Sequence, residues 1–312
     1  MSATMLDLKG RLERLAATSA SALIVGEAGC GKEVVAHFIH QLSPRAAEPF
    51  VIVRCGGLVG HDGDAVLFGE WARSAVNGGE QSQIGALGQA ARGTLFLDEI
   101  GELQSSLQLR LAHVIDSRQF SRIGDLATGV PFEARILAAS HLSAETLRER
   151  LAPDLLNRIA VIEMAVPPLR ERQADIEPLV GALLPSLASE LGVPALPIEA
   201  EAMAAMRAYQ WPGNVREMRN RLMRALSFAK GSKISVEDIF PRTPAEQARQ
   251  PPKTTLDQAR IEAERARIME ALALHQGRVG RAARSLGISR VTLWTKMKRL
   301  RLSENVPPAD KG

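Results

Sequence analysis

Cysteine and aromatic residues are scarce in this chain. Of its 312 residues, two are cysteines (Cys30 and Cys55) and only 4% are Phe, Trp or Tyr. Two cysteines without paired spacing supply neither a zinc site nor a disulfide framework. So few rings leave the core to aliphatic side chains, and an apolar fraction of 46% is enough to build one. No run approaches the roughly 18 apolar residues of a membrane-crossing helix. The segment Met1 to Gly10 has no apolar core of a secretory signal. These absences predict a soluble, cytoplasmic protein with no membrane partner. The length predicts two or three domains.

Net charge is small at +4, but it is concentrated. From Met1 to Pro252 there are 26 basic and 29 acidic residues, whereas Lys253 to Arg301 carries 12 basic and 4 acidic ones. Arg278 to Arg301 holds eight basic residues and no acidic one. A merely solvated helix face mixes signs, so this block predicts a polyanionic partner.

Two phrases in the first half carry chemistry. Gly26 to Glu33 reads GEAGCGKE, and Gly93 to Ile100 reads GTLFLDEI. In the first, Gly26, Gly29 and Gly31 let the backbone curl so that N–H groups point at phosphate, and the next helix adds its positive end. The loop Gly26, Glu27, Ala28, Gly29, Cys30, Gly31, Lys32 and Glu33 is therefore the expected ATP-binding segment. Lys32 is expected to reach the β and γ phosphates. Glu33 stands where a hydroxyl often ligates magnesium. The second phrase is an apolar strand ending in a carboxylate pair. Asp98 is expected to hold Mg2+, through water, and Glu99 to polarise the attacking water.

Strands are predicted at Ala22 to Val25, Phe50 to Val53, Thr94 to Leu97 and Ala134 to Ala139. Helices are predicted from the phosphate loop to about Leu42 and over Leu103 to Ile115. That alternation indicates an α/β domain with a mostly parallel sheet. Gly56 to Gly93 is rich in Gly, Ser, Asn and Gln, and its centre reads as an exposed loop between short helices. After Pro167 and Pro168, helices follow at Ile176 to Leu191, Glu199 to Tyr209 and Val215 to Ala229. The expected organisation is an α/β subdomain over 1–168, a helical lid over 169–240, a Pro-rich linker over 241–255, an all-α domain over 256–302 and a tail over 303–312.

In the last domain a long helix, Leu256 to His275, has mixed charge and apolar Ile261, Ile268 and Leu272, which suits packing or dimerisation. Val279 to Leu286 is a short helix, Gly287 a turn, and Ser289 the cap of a second helix. Ala282, Ala283, Leu286, Ile288, Leu293 and Met297 are expected to pack inside. Arg290, Thr292, Thr295, Lys296 and Arg299 are expected on the outer side. This is a helix-turn-helix whose second helix fits a major groove of double-stranded DNA, with Arg290 and Thr292 near base edges. Arg281, Arg284, Lys298, Arg299 and Arg301 are assigned to phosphates.

Together with SPRAAEPF at Ser43 to Phe50, LFGE at Leu67 to Glu70, VPPLRERQADI at Val166 to Ile176 and WPGNVREM at Trp211 to Met218, these phrases closely resemble the bacterial enhancer-binding proteins. Those are the NtrC-like AAA+ activators of sigma-54 RNA polymerase, related to response regulators. The resemblance runs from about Leu6 to Leu302. It implies a AAA+ P-loop domain with helical lid, then a Fis-type helix-turn-helix binding palindromic DNA as a dimer. It further implies hexamers with ATP between subunits. In that arrangement Arg158 is the finger reaching a neighbour's ATP and Arg216 the sensor arginine of the lid. A surface ion pair is the alternative role for Arg158.

The sequence also departs from the family. The sigma-54-contacting GAFTGA loop is degenerate here, Glu70 to Gly79 reading EWARSAVNGG. Arg54 replaces an asparagine that restrains the catalytic glutamate, and it either pairs with Glu99 or faces solvent. His141 stands at the sensor asparagine, and Ala152 replaces the first of two arginines near the finger. The α/β domain begins almost at Met1, so control is expected from a separate regulatory protein, from expression level or from binding to the AAA+ surface. Three readings follow. The chain activates sigma-54-dependent transcription by ATP hydrolysis; it regulates without sigma-54 and uses nucleotide to control assembly; or it is a non-catalytic co-regulator paired with a fuller relative.

Overall fold

The computed structural model describes residues 2–73, 80–125, 129–229, 231–241, 256–275, 277–300 and 302. Two compact units emerge, Met1–Pro241 and Arg242–Gly312.

The first unit is built on five parallel strands in the order β2 (Phe50–Arg54), β5 (Thr94–Asp98), β8 (Arg135–Ser140), β1 (Ala22–Val25) and β9 (Ile162–Ala165). Apolar residues alternate across the central strands, so each face needs its own cover. Leu23, Leu95, Leu97, Ile136 and Ala138 pack with α3 (Gly60–Phe68), α4 (Ala86–Ala90), α5 (Ser105–Ser117) and α7 (Pro153–Ile159). Ala22, Ile24, Phe96, Leu137 and Ala139 face α1 (Ala3–Ala16) and α2 (Lys32–Gln41). The strand ends carry the phosphate loop after β1, Asp98-Glu99 after β5 and Ser140-His141 after β8.

Several elements go beyond the expectations, the fifth strand β9 among them, and two matter here. The first is α1, whose buried Leu8, Leu12 and Leu15 recur at helical spacing and whose cap is Ser2, accepting from Met5 N. Its C-terminal end is tied down by buried Arg135, which donates to Leu15 O and Ala20 O at 3.0 Å each. The second is the centre of 56–93, expected as an exposed loop between short helices; α3 and α4 are those helices, but the centre is not a plain loop. It contains an antiparallel hairpin, β3 (Gly69–Arg73) with β4 (Glu80–Ile84), in which Gly69 faces Ile84 and Arg73 faces Glu80. Its polar composition masks the strand signal, and Gly69 meets a backbone approach that excludes a side chain: a Cβ there would lie 2.5 Å from Gln83 O. Part of the degenerate loop, 74–79, lies outside the described residues.

The remaining small elements of this unit are β6 (Gln119–Phe120), β7 (Val130–Pro131) and α6 (Ala144–Arg150). Beyond β9 comes the lid: α8 (Ile176–Leu191), α9 (Ala200–Ala208), α10 (Asn214–Phe228) and α11 (Val236–Ile239). Its core gathers Leu169, Ile176, Met206, Met218 and Leu222 around fully buried Trp211, whose Nε1 donates to Met206 O at 2.8 Å.

The second unit comprises α12 (Leu256–Leu274), α13 (Val279–Ser285) and α14 (Arg290–Arg299). Ala282, Ala283, Leu293 and Met297 are buried with Ile268, and Leu286 and Ile288 pack beside them. Gly287 makes the turn at φ 67°, and Ser289 caps α14 by accepting from Thr292 N at 3.0 Å. Ile261, in contrast, is exposed. The expected linker beyond residue 241, Arg301 and the tail fall outside the described residues.

Candidate functional site

Three strand ends bring Lys32, Asp98, Glu99 and His141 together. Lys32, the first residue of α2, is buried, and its Nζ donates to Gly26 O at 2.9 Å and Glu27 O at 3.3 Å. The same Nζ lies 3.4 Å from Glu99 Oε1. The other carboxylate oxygen, Oε2, accepts from His141 N at 3.0 Å and meets His141 Nδ1 at 2.6 Å. Glu99 itself sits at φ 54°, an uncommon conformation for a non-glycine residue and one found where a side chain must be aimed.

The two carboxylates of the pair differ in acidity. Burial alone would raise the Glu99 pKa. The hydrogen bonds from the His141 side chain and backbone, with the Lys32 charge, outweigh it and leave Glu99 below its ordinary value. Asp98 is pushed up by burial and by the Glu99 charge, with Lys32 and Arg54 only partly opposing. A half-buried acid short of positive charge suits a cation. Among the described residues no cluster of three or more His, Cys, Asp or Glu forms a metal cage. One carboxylate beside a phosphate loop is the donor set by which proteins hold magnesium along with phosphate oxygens. Glu33 is exposed, and no hydroxyl takes its place.

Arg54 does not reach Glu99. It is exposed at the end of β2, in register with Asp98, and the partner on Glu99 is His141 instead. Spacing along the chain could not reveal that pairing, because it depends on β8 lying beside β5 in the sheet.

The loop's Glu27 also turns away from the expected phosphate cradle. Its carboxylate takes both amino groups of Arg170 at 2.9 and 2.7 Å and Asn214 Nδ2 at 3.0 Å, all from the lid side. Ala28 is exposed and Cys30 buried. Gly29, at φ 75°, is packed so closely on the lid that a Cβ would lie 2.5 Å from Gly213 O and 2.9 Å from Arg216 Cβ. Arg216 thus stands over the phosphate loop, exposed, at the edge of an open groove of about 420 Å³. Sequence reasoning overlooked Arg170 and Asn214; their partner Glu27 is 143 and 187 residues away.

Arg158, on α7, is bonded to α5 and to its own helix rather than to the residues of this cluster. Its Nε and Nη2 each lie 2.5 Å from a carboxylate oxygen of Asp116 on α5, and its Nη1 donates to Asp154 O. Ala152 caps α7, and its N–H donates to Gln108 Oε1 at 2.8 Å.

In the second unit Arg281, Arg284, Arg290, Thr292, Thr295, Lys298 and Arg299 are exposed. Lys296 is half-buried and pairs with Glu264 of α12, which also accepts from Arg299 Nη2 at 2.7 Å. Bonds from Lys296, with the charges of both cations, hold the Glu264 carboxyl below its usual value. The Thr292 hydroxyl shares a 2.7 Å bond with the Ser289 cap. Two side chains not singled out from the sequence also face outward on α14: Val291, 75% exposed, and Trp294, 54% exposed. Apolar residues this open on a basic helix are a surface signal that an apolar count alone misassigns to the core.

This geometry defines a AAA+ P-loop domain with a helical lid, followed by a Fis-type helix-turn-helix. Residues 1–165 match the Sigma-54 interaction domain, residues 170–256 the AAA+ ATPase lid domain, and residues 260–300 the bacterial regulatory protein, Fis family. The chain belongs to the NtrC-like family of bacterial enhancer-binding proteins. It is 36% identical over 304 residues to the hydrogenase transcriptional regulatory protein HoxA of Cupriavidus necator, covering 93% of this chain and 62% of that one. With the DNA-binding transcriptional regulator NtrC of Escherichia coli K12 it shares 36% identity over 322 residues, 95% of this chain and 68% of the relative. The fold also matches the crystal structure of NtrX from Brucella abortus in complex with ATP, at TM-score 0.68 and 29% identity, over 96% of this chain and 68% of NtrX. The ADP complex of NtrX gives TM-score 0.69 over the same shares. This chain therefore spans about two thirds of the length of these relatives.

Proposed function

We propose that this protein is a DNA-binding transcriptional regulator whose AAA+ domain binds and hydrolyses ATP between neighbouring subunits of a hexamer. The observation that carries this reading is the convergence of Lys32, Asp98 and Glu99 on one phosphate loop. Lys32 exchanges its loop carbonyls for the β and γ phosphate oxygens. Asp98 would hold magnesium, which when bound would neutralise charge on those oxygens. Glu99, ionised and aimed by His141, orients the attacking water. Arg158 leaves Asp116 and enters the neighbour's site, and Arg216 reports nucleotide state to the lid. In the cell, sigma-54 polymerase is the proposed partner in the cytoplasm, with the β3–β4 hairpin as the element facing it.

The test is ATP turnover against protein concentration, with and without sigma-54 and promoter DNA. A cooperative rise with protein concentration supports catalysis between subunits. Stimulation of transcription that survives removal of sigma-54 supports the sigma-54-independent reading. No turnover in any mixture leaves the co-regulator reading.

His141 has a role separable from binding. Removing its ring by His141→Ala takes away the 2.6 Å contact that aims Glu99. Misplacing a catalytic group by an ångström costs up to about 100-fold, so kcat should fall roughly 10- to 100-fold with KM little changed. Steady-state kinetics decide this; a rise in KM at constant kcat would assign His141 to binding alone.

For the helix-turn-helix, we propose that Arg290 and Thr292 meet base edges, with Val291 and Trp294 adding apolar contact of the kind thymine methyls accept. Arg281, Arg284, Thr295, Lys298 and Arg299 go to phosphates, and Lys296 joins them when Glu264 is displaced. Affinity for duplex DNA should fall steeply between 50 and 200 mM salt, the range over which counterion release is read. Arg284→Ala and Lys298→Ala should each lower the slope of log K against log salt by about one. Fluorescence anisotropy on a palindromic duplex measures it; slopes equal to the parent would remove these residues from the interface.

A further inference from the structure

The outer face of the phosphate loop is bonded to the lid at three consecutive carbonyls. Ala28 O accepts from Asn214 Nδ2 at 3.1 Å, Gly29 O from Val215 N at 3.0 Å and Cys30 O from Arg172 Nη2 at 2.6 Å. A trans peptide sets its carbonyl and the following N–H on opposite sides. Fixing the carbonyls of Ala28 and Cys30 toward the lid therefore turns the N–H groups of Gly29 and Gly31 away from it.

Asn214 is the centre of this arrangement. It is fully buried, sits at φ 49°, and uses both ends of its amide. Its Oδ1 accepts from Leu169 N at 2.7 Å, while Nδ2 donates to Glu27 Oε2 at 3.0 Å as well as to Ala28 O. Glu27 in turn is gripped by Arg170. No other side chain joins the lid backbone, the loop backbone and the loop's acid among the bonds of this region.

We propose that Asn214 is a positioning residue for nucleotide binding: its amide holds the phosphate loop in the shape that receives the anion and links that shape to the lid. The inference rests on the reading that this loop binds a nucleoside triphosphate. Asn214 touches no phosphate; it acts through Glu27 and the Ala28 carbonyl.

The experiment uses the full chain and a fluorescent ATP analogue. Asn214→Gly keeps the left-handed backbone while deleting the amide. Asn214→Asp keeps the size but sets an acceptor against Glu27 and Ala28 O. Affinity should fall about 10-fold for the first and about 100-fold for the second, the range expected when a buried donor is lost or opposed. The stabilisation of thermal unfolding by ATP should shrink in the same order. In the Glu27→Gln, Asn214→Asp double variant the donor lies on the loop instead, and most of the lost affinity should return. A merely structural asparagine would lower the melting point without this reciprocal rescue. If the folded variants bind ATP within about twofold of the parent, the inference is overturned. Should both Asn214 variants fail to fold, Glu27→Ala reads the same link from a half-exposed position. A loss of about 10-fold supports it, and parental affinity overturns it. Failure of the parent to bind the analogue overturns the nucleotide reading itself; binding by the parent with unaffected variants sinks only the role of Asn214.

Discussion

Arg158→Ala is expected to lower ATP turnover by roughly 10³- to 10⁵-fold, the span over which a supplied arginine acts on phosphoryl transfer. The effect is large because the guanidinium meets charge that exists only on the transferring phosphoryl group. Ground-state ATP affinity should change by only a few-fold. Within the protomer Arg158 is bound by Asp116 on α5 and by Asp154 O of its own helix. Arg158 is half-buried and its partner Asp116 exposed, and pairs open to solvent on one side contribute little to stability, so a neighbour's phosphates can draw the arginine away. Asp116→Ala should accordingly bring half-maximal turnover to a lower protein concentration. Phosphate release measured across a concentration series checks both. A loss smaller than about tenfold in Arg158→Ala would return this residue to the role of a surface ion pair.

Glu99→Gln is the second large effect. The carboxylate orients and deprotonates water, and replacing it by an amide of the same shape should reduce kcat roughly 10²- to 10⁴-fold. Binding should survive, since the amide removes a negative charge beside the phosphates. The acidity of the pair sets the direction. With its carboxyl held below the ordinary value by His141 and Lys32, against burial, Glu99 is ionised at neutral pH and presents an acceptor oxygen that can orient water. Asp98, pushed the other way by burial and by the Glu99 charge, suits a cation. Single-turnover hydrolysis with saturating ATP separates the chemical step from release. Equal losses in affinity and kcat would mean that Glu99 supports the fold of the site rather than the reaction.

Much of the molecule was legible because periodicity and phosphate chemistry are local. The strands at Ala22–Val25 and Phe50–Arg54 and the helix at Ile176–Leu191 lie where apolar runs and helical spacing put them. The cap at Ser289 and the buried set of Ala282, Ala283, Leu293 and Met297 follow from the same rules. What escaped was decided at long range or hidden by composition. The hairpin at Gly69–Arg73 and Glu80–Ile84 has its few apolar residues, Trp71, Ala72 and Ile84, out of alternation, so no period-2 pattern advertises it. His141 reaches Glu99, rather than Arg54, because β8 lies against β5. Glu27 serves the lid because Arg170 and Asn214, far along the chain, fold back onto the loop. In the last domain the pattern puts Lys296 on the outer side, whereas Glu264 on α12 holds it half-buried.

Catalysis shared between subunits is tested most directly by mixing two inactive variants, Arg158→Ala and Glu99→Gln. The first keeps a complete water-activating site, and the second keeps a complete finger. In a ring with head-to-tail contacts, random mixing unites the intact halves at about a quarter of the sites, so turnover should recover to about that fraction of the parent. A mixture no more active than its separate components would contradict the shared site, and with it the mechanism.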